Sequence, residues 1–274
     1  MSQHLSITAN DLTFDVTAYG PEDGEPVIAL HGWPQTSRSW AAVVPDLVDA
    51  GMRVFAPDQR GYSPGARPEG VEHYATATLA LDVIAIADAL GLTTFHLVGH
   101  DWGAAVAWTV AAHHGERLRS LTAVSVPHLA AYGWALANDS DQQQRGAYIG
   151  LLRQEGKAEH VLLENDAERL RAMYQGVVPD EDEYVRFFSQ DGALTGGLNW
   201  YRAMRGDLAS LPAVTVPTTY VWGSSDLALG RAGAERCHEF VTADFRFVEL
   251  DGGHWLPEEK PAELAAAIID RVRG

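Results

Sequence analysis

The stretch Leu97-Val98-Gly99-His100-Asp101-Trp102-Gly103-Ala104-Ala105 constrains this chain more than any other. An apolar run ends in a sharp turn and a helical pattern begins at once, with glycine two residues before and two residues after the central position. Strand and helix backbones pass close together at such a turn, so small residues flank it. The central side chain is lifted clear of the sheet, in the geometry of a nucleophile elbow. That side chain is a carboxylate, Asp101, where a serine is usual. The helix that follows aims its positive N-terminus at the carboxylate and favours the anion. An Asp that only capped the helix would need neither Gly99 nor Gly103. A carboxylate suits displacement at saturated carbon, giving an alkyl ester of the enzyme, better than attack on an acyl carbonyl. Epoxides and haloalkanes are electrophiles of that kind.

Around this motif, short apolar runs alternate with longer helical patterns. The runs Val27-Ile28-Ala29-Leu30, Val54-Phe55-Ala56, Phe95-His96-Leu97-Val98, Leu121-Thr122-Ala123-Val124 and Tyr220-Val221-Trp222 read as buried strands of a parallel sheet. Ser6 to Ala9 and Leu12 to Tyr19 alternate and predict an antiparallel edge hairpin. Helices are expected over Trp40 to Ala50, Thr76 to Leu90, Trp102 to His113, Gly230 to Phe240 and Pro261 to Arg273. From Pro127 to Leu211 the alternation stops. Charged helical stretches follow one another there (141–153, 157–163, 167–174, 181–188), with no strand between them. The pattern predicts an α/β core over residues 1–127 and 212–274, with a helical cap, residues 128–211, inserted between core strands.

Composition narrows the function further. A net charge of −17 over 274 residues repels nucleic acid and anionic membranes, which excludes both as expected partners. No run approaches the length of a membrane helix, and MSQHLSITAN lacks the pattern of a signal peptide. One cysteine, Cys237, forms no intramolecular disulfide and reads as a helical filler. The expectation is a cytoplasmic protein, monomer or homodimer. The histidines and their neighbouring carboxylates show no metal-site spacing, so neither metal nor organic cofactor is expected.

The Asp-centred elbow and its surroundings resemble the epoxide hydrolase branch of the α/β-hydrolase superfamily, a fold with a mostly parallel sheet flanked by helices. The similarity runs over about Val27 to Val126 and again over Val216 to Pro261. Several roles follow from it. Leu30-His31-Gly32-Trp33-Pro34 is similar to the family's HGxP loop. The resemblance therefore assigns the backbone N–H groups of Trp33 and Trp102 to an oxyanion hole and implies a cis bond before Pro34. His254, in Asp251-Gly252-Gly253-His254-Trp255, stands at the position of the base. Asp226, past the run Tyr220 to Gly223, stands at that of the triad acid. The order of nucleophile, acid and histidine is that of the superfamily. Asp251 is a competing acid, one loop too late. His31, His96, His100, Asp58 and Arg60 read as structural.

Opening an epoxide generates an alkoxide, which needs a proton donor, and a phenol is a suitable one. Leu198-Asn199-Trp200-Tyr201-Arg202 matches the family's NWYR motif, which makes Tyr201 that donor. Where the family has a second tyrosine, this chain has Leu151. Tyr148 lies one helical turn earlier, on the same face, and is the expected substitute. Trp33, Trp102, Trp134, Trp200 and Trp255 are expected to line an apolar substrate pocket. The expected activity is conversion of a small apolar epoxide and water to a vicinal diol through an ester on Asp101. The alternatives are a haloalkane dehalogenase, in which indole N–H groups from Trp102 and from Trp33 or Trp200 hold the halide, and a non-catalytic module that binds small molecules.

Overall fold

The computed structural model describes residues 2–179, 181–204 and 210–274. The described residues form eight strands: β1 Ser2–Ala9, β2 Leu12–Tyr19, β3 Glu25–Leu30, β4 Met52–Pro57, β5 Phe95–His100, β6 Leu118–Val124, β7 Thr218–Gly223 and β8 Phe245–Leu250. They make one sheet in the order β1-β2-β4-β3-β5-β6-β7-β8. β2 pairs antiparallel with β1 and with β4, and the remaining pairs are parallel. The antiparallel edge hairpin expected from the alternation of its side chains is therefore present.

Parallel strands covered on both faces are apolar at nearly every position. β3 illustrates this: Ile28 and Leu30 enter one core, while Val27 and Ala29 enter the other. Three helices flank the first half of the sheet: α1 Val44–Asp49, α2 Thr76–Ala89 and α3 Trp102–His113. Between β6 and β7 the chain runs through α4 Leu129–Asn138, α5 Ser140–Arg145, α6 Ile149–Leu152, α7 Lys157–Met173, α8 Glu181–Phe188 and α9 Ala193–Ala203. After β7 come α10 Arg231–Arg236, α11 Leu256–Glu259 and α12 Pro261–Arg273. Side chains of α1, α11 and α12 fill one core, and those of α2, α3 and the α4–α9 run fill the other.

The helical patterns break where local chemistry breaks them. Over residues 40–50 a 3-10 turn, Ser37–Trp40, precedes α1, which starts with a proline in its first turn. Proline is favoured there because its missing N–H costs nothing. The 141–153 pattern splits at Gly146, which caps α5. Within α7, Glu164 to Ala167 leave helical geometry and Asn165, Asp166 and Ala167 take φ of 52°, 57° and 58°. α4 and α9 were not among the expected helices. Their sequences carry Tyr201 and part of the cavity wall, as described below.

The α4–α9 run is fastened to loops at the C-terminal ends of the strands. Trp200 Nε1 donates to the Arg60 carbonyl (2.9 Å), and Tyr174 Oη to the Pro34 carbonyl (2.6 Å). Trp255 Nε1 donates to the Met173 carbonyl (3.1 Å). α9 meets the loop after β4 backbone to backbone: a Cβ on Gly196 would lie 2.5 Å from the Gly61 carbonyl oxygen. Side chains cannot fit in such a contact.

Candidate active site

Asp101 occupies the turn between β5 and α3 with φ 52° and ψ −121°. A non-glycine residue in that region is strained by roughly 1–3 kcal/mol and stays there only when its surroundings impose it. The imposition comes from close packing beneath the turn. A Cβ on Gly103 would stand 2.2 Å from the Leu30 carbonyl oxygen, and one on Gly99 would stand 2.3 Å from that of Gly103. The turn directs the Asp101 carboxylate toward the loop after β3, where the Trp33 N–H donates to Oδ1 at 2.8 Å. The bond between Trp33 and Pro34 is cis.

Oδ2, the other carboxylate oxygen, faces His254 Nε2 at 3.4 Å. On the far side of the imidazole, Nδ1 lies 2.9 Å from Asp226 Oδ2 and 3.1 Å from Oδ1. Asp226 is buried and also accepts from the N–H groups of Ala228 and Leu229 at 2.8 and 3.0 Å. Burial by itself would raise the Asp226 pKa, but His254 and these two N–H groups outweigh burial and hold it below the usual carboxylate range. Burial would likewise depress His254, yet the carboxylates of Asp226 and Asp101 prevail and lift it to about 10. With both carboxylates ionised the imidazole is a cation. Asp251, the competing acid, is exposed, and no contact joins it to His254.

Two cavities meet at Asp101, with empty volumes of about 530 and 540 Å³. Trp102, Leu129, Tyr132, Ile149 and Met204 border the first; Trp33, Met173, His254 and Trp255 border the second. Asp101, Tyr148 and Tyr201 border both. Tyr201 is the terminal part of α9, and its ring meets those of Trp102 and Trp33 edge to face, with centroids 5.1 and 5.4 Å apart. Tyr148 stands 6.4 Å from it, centroid to centroid. Burial is the main cause that raises both phenols well above their ordinary pKa; the charge of Asp101 adds to it at Tyr148, and the neighbouring Tyr148 and then Asp101 add to it at Tyr201. The shift favours the protonated phenol in each.

The structure thus brings Asp101, His254, Tyr148, Tyr201, Trp33, Trp102 and Trp255 around one space, with Asp226 behind His254. Trp200 is not in it: it borders neither cavity and packs edge to face on Tyr62 and Trp102. Trp134 is half exposed beneath the Arg236 guanidinium. Tyr132, a cavity residue, went unrecognised in the sequence because α4 did. His100 Nε2 contacts the His254 carbonyl at 2.8 Å, and His31 Nε2 accepts from the Gln59 N–H at 3.2 Å. Arg60 holds Asp82 through two hydrogen bonds of 2.6 and 2.8 Å. All three brace the loops. Among the described residues no group of His, Cys, Asp and Glu is placed to hold a metal ion, and no helix is long and apolar enough to cross a membrane.

Residues 25–261 match the family model described as alpha/beta hydrolase fold. Among curated relatives, the AB hydrolase superfamily protein YfhM of Bacillus subtilis is 35% identical, with 97% of this chain and 96% of that protein aligned. Epoxide hydrolase A of Mycobacterium tuberculosis is 33% identical, with 92% of each chain aligned. Among solved structures, Epoxide Hydrolase A from Mycobacterium thermoresistibile superposes with a TM-score of 0.85 at 28% identity, covering 100% of this chain and 99% of that one. A structure described among novel epoxide hydrolases from metagenomes of hot environments gives 0.88 at 29% identity, covering 99% of both chains.

Proposed function

Because the chain belongs to the α/β-hydrolase fold family, on its epoxide hydrolase branch, we propose that it hydrolyses a small apolar epoxide to a vicinal diol through an ester on Asp101. One observation carries the reading: a carboxylate and two phenols border the same space, with a histidine behind the carboxylate. In the first step Asp101 Oδ2 attacks an oxirane carbon. The C–O bond of the ring breaks, and the freed oxygen takes the proton of Tyr201, with Tyr148 as second donor. Oδ1 becomes the ester carbonyl oxygen and keeps its hydrogen bond from the Trp33 N–H.

Forming the ester removes the negative charge of Asp101. One of the two carboxylates that hold His254 protonated is thereby lost, the imidazole gives up its proton to restore the Tyr201 phenol, and a base appears when it is needed. His254, oriented by Asp226, then takes a proton from water. The hydroxide attacks Cγ of the ester, the oxyanion on Oδ1 is held by the N–H groups of Trp33 and Trp102, the acyl C–O bond breaks, and the leaving oxygen takes the proton of the new carboxylic acid, which releases the diol and restores the Asp101 carboxylate. Only Tyr201 has given up a proton, and the proton shed by the imidazole replaces it, so the cycle closes. We further read residues 128–211 as a cap that contributes these phenols and the cavity wall. Water and the epoxide are the partners this chemistry needs.

Displacement of halide has less support. It requires two N–H donors at the leaving group. The indole N–H groups of Trp200 and Trp255 are committed to backbone carbonyls. That of Trp33 has no partner and faces α9, 3.1 Å from where a Gly197 Cβ would stand. The test is the intact mass of the His254→Gln protein after exposure to pooled epoxides and haloalkanes. An adduct equal in mass to a whole epoxide supports the reading. An alkyl group without its halogen would replace it with dehalogenation, and a wild-type protein that turns over neither pool would leave a binding module.

A further inference from the structure

A further carboxyl group, beyond those of Asp101 and Asp226, lies behind the base loop and takes no part in the steps above. Glu258, in α11, accepts at Oε1 a hydrogen bond from Gln35 Nε2. The other oxygen of each side chain, Glu258 Oε2 and Gln35 Oε1, is buried and has no partner. Gln35 is fully enclosed. Two spare acceptors in one enclosed pair are costly, because each has lost its water. A single proton on Glu258 satisfies both. The planar acid and the planar amide then exchange two hydrogen bonds, the carboxyl O–H donating to the amide oxygen and the amide N–H to the acid carbonyl.

We propose that Glu258 is held as a neutral carboxylic acid paired with Gln35, and that this pair positions the Trp33 N–H and His254 for hydrolysis of the Asp101 ester. Gln35 follows Pro34 on the loop whose Trp33 N–H reaches Asp101, and Glu258 lies one helical turn beyond His254. The pair joins these two loops side chain to side chain. Their flanks are held separately. Glu259 accepts from the N–H groups of Gly253 and Trp255 at 2.9 and 3.0 Å, and Tyr174 donates to Pro34.

The titratable and charged groups around Glu258 are Glu259 on its own helix, His254 in the preceding loop and Tyr174 at the end of α7. α12 and the turn Ser37–Trp40 also pack on α11 and bring Glu263 and Arg38. Burial raises Glu258 to about 8, and the Gln35 hydrogen bond only partly opposes it. The sign follows from proton counting. Above its ordinary value of 4.5 the unfolded chain releases this proton, whereas the folded protein keeps it up to about 8. Stability from this group is therefore full below 4.5 and is lost as pH rises to about 8.

The experiment compares wild type, E258Q and E258A as full chains in two measurements. The first is the melting temperature across about pH 5 to 9. E258Q keeps both hydrogen bonds as an amide pair and does not titrate, so its melting temperature is expected to climb relative to wild type between about pH 5 and 8. A difference that stays flat over that range overturns the neutral acid. The second rests on the proposed epoxide chemistry: the single-turnover rate of ester hydrolysis, with styrene oxide as probe. Wild type is expected to slow roughly tenfold as pH rises past about 8, the size of effect that one buried hydrogen bond accounts for. E258A is expected to be slow by a similar factor throughout, and E258Q to recover the rate and lose the decline. E258Q as slow as E258A would overturn the positioning role. Absence of any ester in wild type would count against the epoxide reading with this probe, while the melting curves still decide the pair.

Discussion

At Asp101 the two carboxylate oxygens are not equivalent, and the difference orders the chemistry. Oδ1 already holds the Trp33 N–H and Oδ2 faces His254. In the proposed mechanism the oxygen free of a backbone donor is the one that attacks. Opposite it, the two phenols are pushed toward retaining their protons by burial and by the anion they face. Tyr201→Phe is expected to slow ester formation by roughly 10- to 100-fold, and the double Tyr148→Phe, Tyr201→Phe variant by roughly 10² to 10⁴. Rapid-quench mass measurement of the adduct checks this, and unchanged rates would remove the tyrosines from the reaction. The identities of Asp101, His254 and Asp226 were legible because each sits in a short motif with a fixed place relative to a strand end. Trp200 was not separable from Trp102 in the same way. Whether an indole faces a cavity or a backbone carbonyl depends on the rotation of its helix, which a single sequence does not print.

At the scale of elements, the strand–turn–helix of β5 and α3 is fixed by backbone approach rather than by side-chain packing. Gly103→Ala would place a methyl group against the Leu30 carbonyl. It is expected to cost roughly 1–3 kcal/mol, as overpacking does, and to lower activity because the Asp101 turn must shift. Urea unfolding and turnover of the same variant check both, and a fully stable, fully active G103A protein would refute the account. The sheet was legible because parallel strands are apolar on both faces. α4 and α9 were not. α9 carries Gly196 and Gly197 in mid-helix, which weaken its intrinsic helical preference. Contact with Gly61 and Trp33 demands them, so tertiary packing overrides the local signal. The 141–153 stretch failed for a related reason: Gly146 stops the helix that its polar neighbours would continue.

For the whole molecule the dominant long-range quantity is the net charge of −17. Like charges spread over one compact surface repel one another and oppose folding. Raising ionic strength from about 0.01 to about 1 M shortens the screening length from about 30 to about 3 Å and is expected to raise the melting temperature by a few degrees. The triad is enclosed between low-dielectric walls, so ester formation should change far less. A melting temperature that falls with salt would mean that surface ion pairs such as Arg231–Glu249 outweigh the general repulsion.

The meeting of Gly196 with Gly61 has one more consequence. Tyr201 is anchored through main-chain atoms, which are the same whatever residues surround them, while the cavity walls are made by side chains of Leu129, Ile149 and Met173. The proposed proton donor and the mould around the substrate are thus specified by different parts of the genetic text. Libraries that randomise only those wall positions can redraw which epoxides are accepted, and which of their carbons is presented, while the reacting atoms stay in register.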